Sequence, residues 1–159
     1  MHYWIDGYNL LFRITKNYRD MKQNERKLLA ALNHSITLLR YQATVVFDGR
    51  EKDPPEALRR NFDALALIYT PHHQTADDYI LEALADAPDP SKETVVSSDY
   101  ELLCKAKQRG ARTQTIEEFL SKLVKKKHKK KAAQEKEFQE SRSEIKRLLK
   151  IFEDRLCEE

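Results

Sequence analysis

In the stretch HYWIDGYN, residues 2–9, a short apolar segment runs directly into an aspartate and a glycine, and this pattern is the first indication of the fold. HYWI has the length and composition of a buried strand, and Asp6-Gly7 is typical of the turn that ends one. ATVVFDG, residues 43–49, repeats the arrangement with a β-branched strand that stops at Asp48-Gly49. Further short strands are predicted at three places: 65–70, 94–97 and 111–115.

Helical patterns separate these strands. An apolar stripe predicts a helix over 24–41, and a short helix is predicted over 56–63. Three more helix starts have capping-box spacing: Thr75 with Asp78, Ser98 with Glu101, and Thr115 with Glu118. Strands that alternate with helices predict an α/β fold with a mainly parallel sheet, covered on both faces, whose strands all end along one edge.

Glycine usage argues against one class of site. The 159 residues include only Gly7, Gly49 and Gly110, and no two of them have dinucleotide-binding or P-loop spacing. No nucleotide cofactor is therefore expected. Gly7 and Gly49 are expected to let the chain turn sharply and a substrate approach the backbone, and Gly110 to end a helix.

Several features predict a cytoplasmic protein. Cys104 and Cys157 are too few for a disulfide framework and fit a reducing compartment. Asp6 and Arg13 interrupt the first apolar stretch, and no basic leader precedes it, which argues against a signal peptide. No apolar run approaches the length of a membrane span, so no membrane partner is expected.

The net charge of +3 is unevenly distributed. Residues 122–159 carry 13 basic and 8 acidic side chains, a net charge of +5, whereas the other 121 residues carry 16 and 18, a net charge of −2. We predict a body over 1–124 and a basic helical extension over 125–159, made of the lysine run KKKHKKK and an amphipathic helix. One long helix through the whole stretch is the alternative. The apolar stripe of the extension is expected to pack on the body or on a partner, which leaves a homodimer open.

Aspartates follow four of the predicted strands: Asp6, Asp48, the pair Asp77-Asp78, and Asp99. Since parallel strands end at one edge, these carboxylates are expected to converge there, although each also has a structural interpretation in a turn or at a helix start. Clustered carboxylates repel one another unless a cation neutralises them. Oxygen ligands without Cys or His suit Mg²⁺ or Mn²⁺. Adjacent helical residues point about 100° apart, so Asp77 is expected to be the ligand and Asp78 to support the site or cap the helix.

Four segments together resemble a known family: IDGYN at 5–9, VVFDG at 45–49, TADDYI at 75–80 and SSDYEL at 97–102. In order and spacing they are similar to the YacP-like branch of the NYN-domain, PIN-like ribonucleases. The resemblance spans roughly residues 1–124. It implies a PIN-like three-layer α/β/α sandwich and a divalent-metal-dependent endoribonuclease. Some members of this family act on mRNA in association with the ribosome.

Carried over residue by residue, the resemblance implies an acidic site that binds Mg²⁺ or Mn²⁺ through Asp6, Asp48, Asp77 and Asp99. Asn9 matches the asparagine of the DGYN motif and is implied to orient a water or a phosphate oxygen beside Asp6. Asp78 is predicted to assist from outside the ligand set. Hydrolysis at such a site is expected to leave a 5′-phosphate.

Basic residues are the candidates for contact with mRNA or rRNA. Contact with rRNA would also bring the protein to the ribosome. Arg13 and Arg50 follow the first two aspartates, and the lysine run contributes six more: Lys125, Lys126, Lys127, Lys129, Lys130 and Lys131. A solvated charge run is the alternative interpretation of these lysines. Tyr8 and Tyr100 flank the site and are candidates for stacking on a base, or for packing. The rival function is a non-catalytic RNA- or ribosome-binding module that keeps the fold.

Overall fold

The computed structural model describes residues 1–15, 19–49 and 58–156. In that part of the chain the elements follow in the order β1 (His2–Asp6), α1 (Gly7–Ile14), α2 (Met21–Leu38), β2 (Gln42–Phe47), β3 (Leu58–Phe62), β4 (Leu65–Tyr69), α3 (Ala76–Asp86), a short 3-10 helix (Pro90–Lys92), β5 (Glu93–Val96), α4 (Tyr100–Gln108), β6 (Arg112–Gln114) and α5 (Ile116–Leu156). Among these helices none is both long and apolar enough to cross a membrane. The chain divides into two compact units, Met1–Leu123 and Val124–Glu159.

The strands form one six-stranded sheet in the order β3-β4-β2-β1-β5-β6. All neighbouring pairs are parallel except β3 with β4. In the central pair, Asp6 of β1 lies opposite Val46 of β2, so the ends of the two strands are level. The predicted mainly parallel sheet is confirmed.

Helices cover both faces of the sheet, which confirms the three-layer sandwich. On one face α1, α2 and the first turns of α5 pack on the strands through a core that includes Leu10, Ile36 and Phe119. On the other face α3 and α4 do so through residues such as Ile80 and Leu102. Every strand of the central four contributes side chains to these cores, so the sheet is buried between its helices.

Two secondary-structure elements differ from the sequence prediction. The short helix predicted over 56–63 is wrong: 58–62 is the edge strand β3, and residues 56 and 57 lie outside the described part of the chain. β3 turns into β4 through Asp63-Ala64, with Asp63 at a φ of 44°. Its residues 59–62 are all exposed, so the strand has no alternating apolar pattern by which to recognise it.

Helix α1, in contrast, is absent from the sequence prediction, although its apolar spacing at Leu10, Leu11 and Ile14 is helical. It starts directly at Gly7 because the carboxylate of Asp6 accepts a hydrogen bond from the backbone N–H of Asn9. The DGYN segment is therefore a capped helix start as well as a turn.

The carboxyl-terminal part of the chain forms one continuous helix, α5, so the alternative of a single long helix is the one that the structure shows. Its start has both halves of the predicted capping box, with Thr115 N–H donating to Glu118 (2.9 Å) and Glu118 N–H donating to Thr115 (3.2 Å). The side chains of the apolar stripe beyond residue 136 lie outside the described residues. The functional division into 1–124 and 125–159 stays a prediction.

Gly7 is required by packing. A Cβ at this position would lie 2.6–2.8 Å from three ring atoms of Phe47, which is fully buried. The expected role, room for a substrate to approach, is therefore wrong for this glycine. Gly110, at a φ of 87°, adopts the left-handed conformation expected of a residue that ends a helix.

Substituting Gly7→Ala is expected to destabilise the protein by about 1–3 kcal/mol, the usual cost of overpacking a well-filled core. Urea unfolding followed by circular dichroism measures this free energy. In a Phe47→Leu background the smaller side chain leaves room for the added methyl, so Gly7→Ala should then cost clearly less. An equal cost in both backgrounds would show that the Phe47 ring is not what excludes the methyl group.

Candidate active site at the carboxyl edge of the sheet

Four aspartates lie where the four central strands end. Asp6 is the last residue of β1, Asp48 directly follows β2, and Asp99 follows β5 after two intervening residues. Asp77 is the second residue of α3, the helix that comes after β4. Because β4, β2, β1 and β5 are neighbours in the sheet, the four carboxyl groups meet at one edge.

Asp6 is the most buried of the four, with only 8% of its surface exposed. Its Oδ1 accepts the backbone N–H of Asn9 (3.4 Å), and its Oδ2 accepts the side-chain Nδ2 of Asn9 (2.7 Å). The same Nδ2 donates to Oγ of Ser97 (3.0 Å) at the end of β5. Asn9 therefore lies beside Asp6, as the motif predicts, and links it to the neighbouring strand.

Ser97 is a site residue that the sequence pattern does not reveal. It is fully buried, and besides the Asn9 amide its Oγ accepts the backbone N–H of Asp99 (3.0 Å). One hydroxyl thus fixes both the Asn9 side chain and the backbone of Asp99. In the sequence, the only indication of this role is that a serine ends the predicted strand TVVS. A single serine at the end of a strand is not part of a repeating pattern, so the sequence does not distinguish it from serines on the surface.

The predicted Ser98–Glu101 capping box is wrong. The N-cap of α4 is Asp99, whose Oδ1 accepts the backbone N–H groups of Glu101 (2.9 Å) and Leu102 (3.4 Å). Aspartate caps a helix as well as serine does, and here the carboxylate reaches these donors from one residue further along the chain. The cap also holds the Asp99 carboxylate in a fixed orientation.

Asp48 is exposed, and its Oδ1 accepts the backbone N–H of Ala76, the first residue of α3. Buried Thr70 strengthens this connection: its Oγ1 accepts the N–H of Gly49 (3.0 Å) and donates to the carbonyl of Gln74 (2.8 Å). The end of β2 is therefore tied to the segment that leads into α3. Thr70 is the second residue that sequence patterns do not identify.

The adjacent residues Asp77 and Asp78 differ in burial and in the residues that they contact. Asp78 is exposed, its backbone N–H donates to the N-cap Thr75 (3.1 Å), and its charge acts on Lys105 of α4. Glu101, the main influence, raises the pKa of that lysine, and Asp78 and Asp77 add to the effect. Asp77 is half-buried and accepts no backbone N–H from a described residue. It is the member of the pair that joins the cluster.

Burial and neighbouring carboxyl groups raise the pKa values of Asp77 and Asp6. Burial is the largest effect on Asp77, the charges of Asp6, Asp99 and Asp48 add to it, and together they raise its pKa to about 7. Burial also raises the pKa of Asp6, partly offset by the hydrogen bonds from Asn9 and reinforced by the charge of Asp48. None of the four aspartates forms an ion pair with a residue that the structure describes.

The side chains of this cluster offer the type of ligand atom that a divalent cation binds. Carboxylate oxygens are the ligands that Mg²⁺ and Mn²⁺ prefer, and the mutual repulsion of the carboxyls favours a positive charge among them. As the side chains lie, however, no three His, Cys, Asp or Glu residues of the described segments are arranged to hold an ion together. Asp77 would also have to lose the proton that its raised pKa retains, because a carboxyl binds a metal in its charged form.

The predicted RNA-contacting residues lie in several places. Arg13, in the last turn of α1, is exposed and forms an ion pair with Glu117. Arg50 lies outside the described residues. The six lysines of 125–131 are on α5, within the second unit, and all are exposed except half-buried Lys130.

The sandwich and its acidic edge define a PIN-like α/β protein, and comparison with known proteins supports this class. Two crystal structures of Rae1 (YacP) from Bacillus subtilis share the fold. One superimposes with a TM-score of 0.62 at 20% identity, covering 96% of this chain and 92% of that one. The other, a W164L mutant, has a TM-score of 0.64 at 18% identity and covers 81% and 77%.

The family model of the YacP-like NYN domain matches residues 3–156, so the chain belongs to that family. No curated protein matches it. The family is a PIN-like nuclease family, which indicates an RNA-related nuclease function and confirms the resemblance found in the motifs. The match also extends well beyond residue 124, through most of the basic extension.

The raised pKa of Asp77 makes the stability of the metal-free protein depend on pH. The carboxyl of Asp77 has a pKa of about 7 in the folded protein, whereas the ordinary pKa of an aspartate is 3.8. Between these values the folded state binds a proton that the unfolded state has lost. The contribution of this group to the free energy of unfolding is therefore highest below about pH 4 and falls as the pH rises to 7. Asp77→Asn, which carries no charge, is expected to be more stable than wild type at pH 8 by about 1–2 kcal/mol, after allowance for solvent screening. Urea unfolding in EDTA measures this difference, which should vanish near pH 4.

Asp78→Asn is the matched control for this prediction, since it removes a neighbouring carboxylate that lies outside the cluster. It should not show the gain at pH 8. An Asp77→Asn protein less stable than wild type at pH 8 would contradict the description of the cluster as mutually repelling carboxylates.

Proposed function

We propose that this protein is an endoribonuclease that uses Mg²⁺ or Mn²⁺ to hydrolyse phosphodiester bonds of RNA at the acidic edge. The observation that carries the proposal is the convergence of Asp6, Asp48 and Asp99 on Asp77, whose pKa is raised to about 7 by burial and by these neighbouring charges. Groups of like charge that perturb one another in this way are concentrated at functional sites. Membership of a PIN-like nuclease family supports the same reaction class.

In this proposal Asp6, Asp77 and Asp99 are the core ligands and Asp48 completes the site. A divalent cation bound there would neutralise charge on the phosphodiester and lower the pKa of a water molecule, which is the chemistry that hydrolysis needs. Oδ1 of Asp48 accepts a backbone N–H at the start of α3, and Oδ1 of Asp99 accepts one at the start of α4, so both carboxylates are fixed at one oxygen. Asn9 holds the Asp6 carboxylate in place. Because Nδ2 of Asn9 donates to both Asp6 and Ser97, its Oδ1 is the atom that would orient a water beside the carboxylate. The product carries a 5′-phosphate.

The finer proposal is that the substrate is mRNA, cut in association with the ribosome. The basic extension supports it, because a net charge of +5 over residues 122–159 suits a large polyanion. The lysines of 125–131 contact phosphates, while the acidic edge performs the reaction. Arg13 and Arg50 are proposed to contact phosphates closer to the cleaved bond.

Asp77→Asn should lower the rate of RNA cleavage by at least about 100-fold, because charge stabilisation by a metal site contributes several kcal/mol. Gel analysis of an end-labelled RNA, with Mg²⁺, Mn²⁺ or EDTA, measures the rate. Since this variant is expected to fold more stably than wild type, its loss of activity cannot be attributed to unfolding.

Asp78→Asn again provides the control and should cleave at nearly the wild-type rate. Cleavage by Asp77→Asn at the wild-type rate would show that the acidic edge is not the site. If wild-type protein bound RNA but cleaved none with any divalent cation, with or without ribosomes, the rival function of a binding module would replace the proposal.

Replacing the six lysines of 125–131 with glutamine should weaken RNA binding and flatten its salt dependence. The log–log slope should fall by about 0.7 for each phosphate of a single strand that the protein no longer neutralises. Fluorescence anisotropy over a range of KCl concentrations measures both effects. Replacing the same six with arginine retains the charge and serves as the control. Cleavage should persist at high concentrations of the glutamine variant, and an unchanged salt slope would mean that the run does not bind RNA.

A further inference from the structure

A cavity of about 190 Å³ opens where β1, β2 and β4 begin, at the end of the sheet opposite the acidic edge. Thr44 of β2 and Ala66 of β4 lie side by side in its floor. Because strand residues alternate between faces, these two share the face of Val46 and Ile68, which α3 and α4 cover. The cavity therefore opens on that face, over side chains that are too small to fill it.

One wall of the cavity is held in place by hydrogen bonds. The His2 ring contacts Thr44 through Nε2 (2.8 Å) and Glu93 through Nδ1 (2.7 Å). The same carboxylate oxygen of Glu93 accepts the indole N–H of Trp4 (2.9 Å). Both ring nitrogens of His2 are therefore engaged, and this wall has a fixed shape.

The other wall is formed by the edge strand β3, and it still has hydrogen-bond donors to offer. Nε of exposed Arg59 donates to Oδ1 of exposed Asn61 (3.3 Å). Among the described residues, neither of these side chains forms an ion pair. Since a guanidinium has five N–H donors, the terminal N–H groups of Arg59 and the amide NH₂ of Asn61 remain for a ligand.

The size and the lining of the cavity indicate the kind of ligand. Pockets for whole small molecules usually measure about 300–1,000 Å³, so this smaller cavity suits one part of a larger molecule. Its lining combines the donors of Arg59 and Asn61 with a carboxylate, Asp63, which disfavours a free anion. The bases of RNA are flat rings with donors and acceptors along their edges, and they match such a mixed lining.

The position of Arg59 connects the cavity with the acidic edge. Arg59 precedes Asn61 by two residues, and because β3 runs antiparallel to β4, it lies closer to the acidic edge on the same face of the sheet. From Thr44 to Asp48, the four residues of β2 span about 13 Å at about 3.3 Å per residue. An RNA chain with a phosphate at the acidic edge would thus pass Arg59 before a later base reached the cavity.

We propose that the cavity binds one base of the RNA, and that Arg59 contacts a phosphate between this base and the cleaved bond. The proposal rests on the proposed function for the identity of the ligand. It adds a binding subsite on the sheet face, outside the acidic edge. This subsite holds the RNA chain during the reaction and takes no part in the chemistry.

Amide NMR spectra of the isotope-labelled protein in EDTA test the cavity without cleavage. The probes are the nucleoside monophosphates of RNA, a short single-stranded RNA, and ribose phosphate, which has no base. Nucleotides and RNA are expected to shift the signals of Thr44, Asn61 and Ala66, whereas ribose phosphate should leave them in place. Arg59→Gln should weaken the binding of the short RNA about 10-fold or more, the usual loss for a hydrogen bond to a charged group.

Arg60→Gln is the matched control, because Arg60 is the next residue of the same exposed strand but pairs with Leu67, on the opposite face of the sheet. It should bind the probes like wild type. Ala66→Leu fills the cavity and should abolish the base-dependent shifts without changing the charge. Asn61→Ala should weaken binding as well, and since Asn61 is exposed, this variant does not depend on how the core accommodates a larger side chain.

Equal losses from Arg59→Gln and Arg60→Gln would overturn the proposal, since the charge of β3 and not the cavity would then bind the RNA. Equal shifts with ribose phosphate and with nucleotides would also overturn it, because the ligand would be an anion and not a base. Tighter binding of a free nucleotide than of the short RNA would show that the cavity does not serve an RNA substrate.

Cleavage of an unlabelled RNA with Mg²⁺, measured in parallel, separates this proposal from the nuclease proposal. If the wild type cleaves RNA but the signals of the cavity respond to no probe, only the cavity proposal fails. If the cavity binds nucleotides and RNA but the wild type cleaves nothing, only the nuclease proposal fails.

Discussion

The side-chain amide of Asn9 donates to Asp6 (2.7 Å) and to Ser97 (3.0 Å), and the acidic edge depends on this shared contact. A buried carboxylate is costly unless hydrogen bonds satisfy it, and Asp6 is only 8% exposed. Through Asn9 it gains its short hydrogen bond, and through Ser97 the same amide connects with the backbone of Asp99. The ends of β1 and β5 are thereby held together as a unit, although both carry negative charge.

The negative charges of the aspartates are also stabilised by the starts of three helices. Asp6 caps α1, Asp48 accepts the first N–H of α3, and Asp99 caps α4. Each carboxylate therefore lies at the positive end of a helix dipole, where a negative side chain stabilises the helix. Asp77 lies in the first turn of α3 but accepts no backbone N–H from a described residue, so it has less compensation than the others. Burial, the largest cause, and the charges of the neighbouring carboxyls raise the pKa of Asp77 to about 7. A proton or a cation can relieve the repulsion among these charges, and only a cation leaves all four carboxylates available as ligands.

The positions of the aspartates are predictable because each follows a short apolar run, and parallel strands bring their ends together whatever their separation in sequence. Ser97 and Thr70 are not, because a buried hydroxyl acquires its role only from partners on other segments. β3 escapes prediction for a different reason: its exposed residues have no apolar periodicity, and only its pairing with β4 makes it a strand. For Gly7 the motif identifies the position correctly but suggests the wrong reason for a glycine there. The actual reason is the Phe47 ring on another strand, which no pattern around residue 7 can predict.

The contact between Gly7 and Phe47 shows why the two motif segments depend on each other. Asp6 pairs with Val46 in the sheet register, so the next residues, Gly7 and Phe47, meet at the strand ends. A Cβ on Gly7 would push the ring away, and the ring supports Tyr8 and directly precedes Asp48. A change at Gly7 would therefore displace the rings of Phe47 and Tyr8 as well as the second aspartate, although it alters no carboxylate itself. The glycine and the phenylalanine keep the spacing between two acidic side chains, and for this reason the packing residues of the motifs are as necessary to the site as the charged ones.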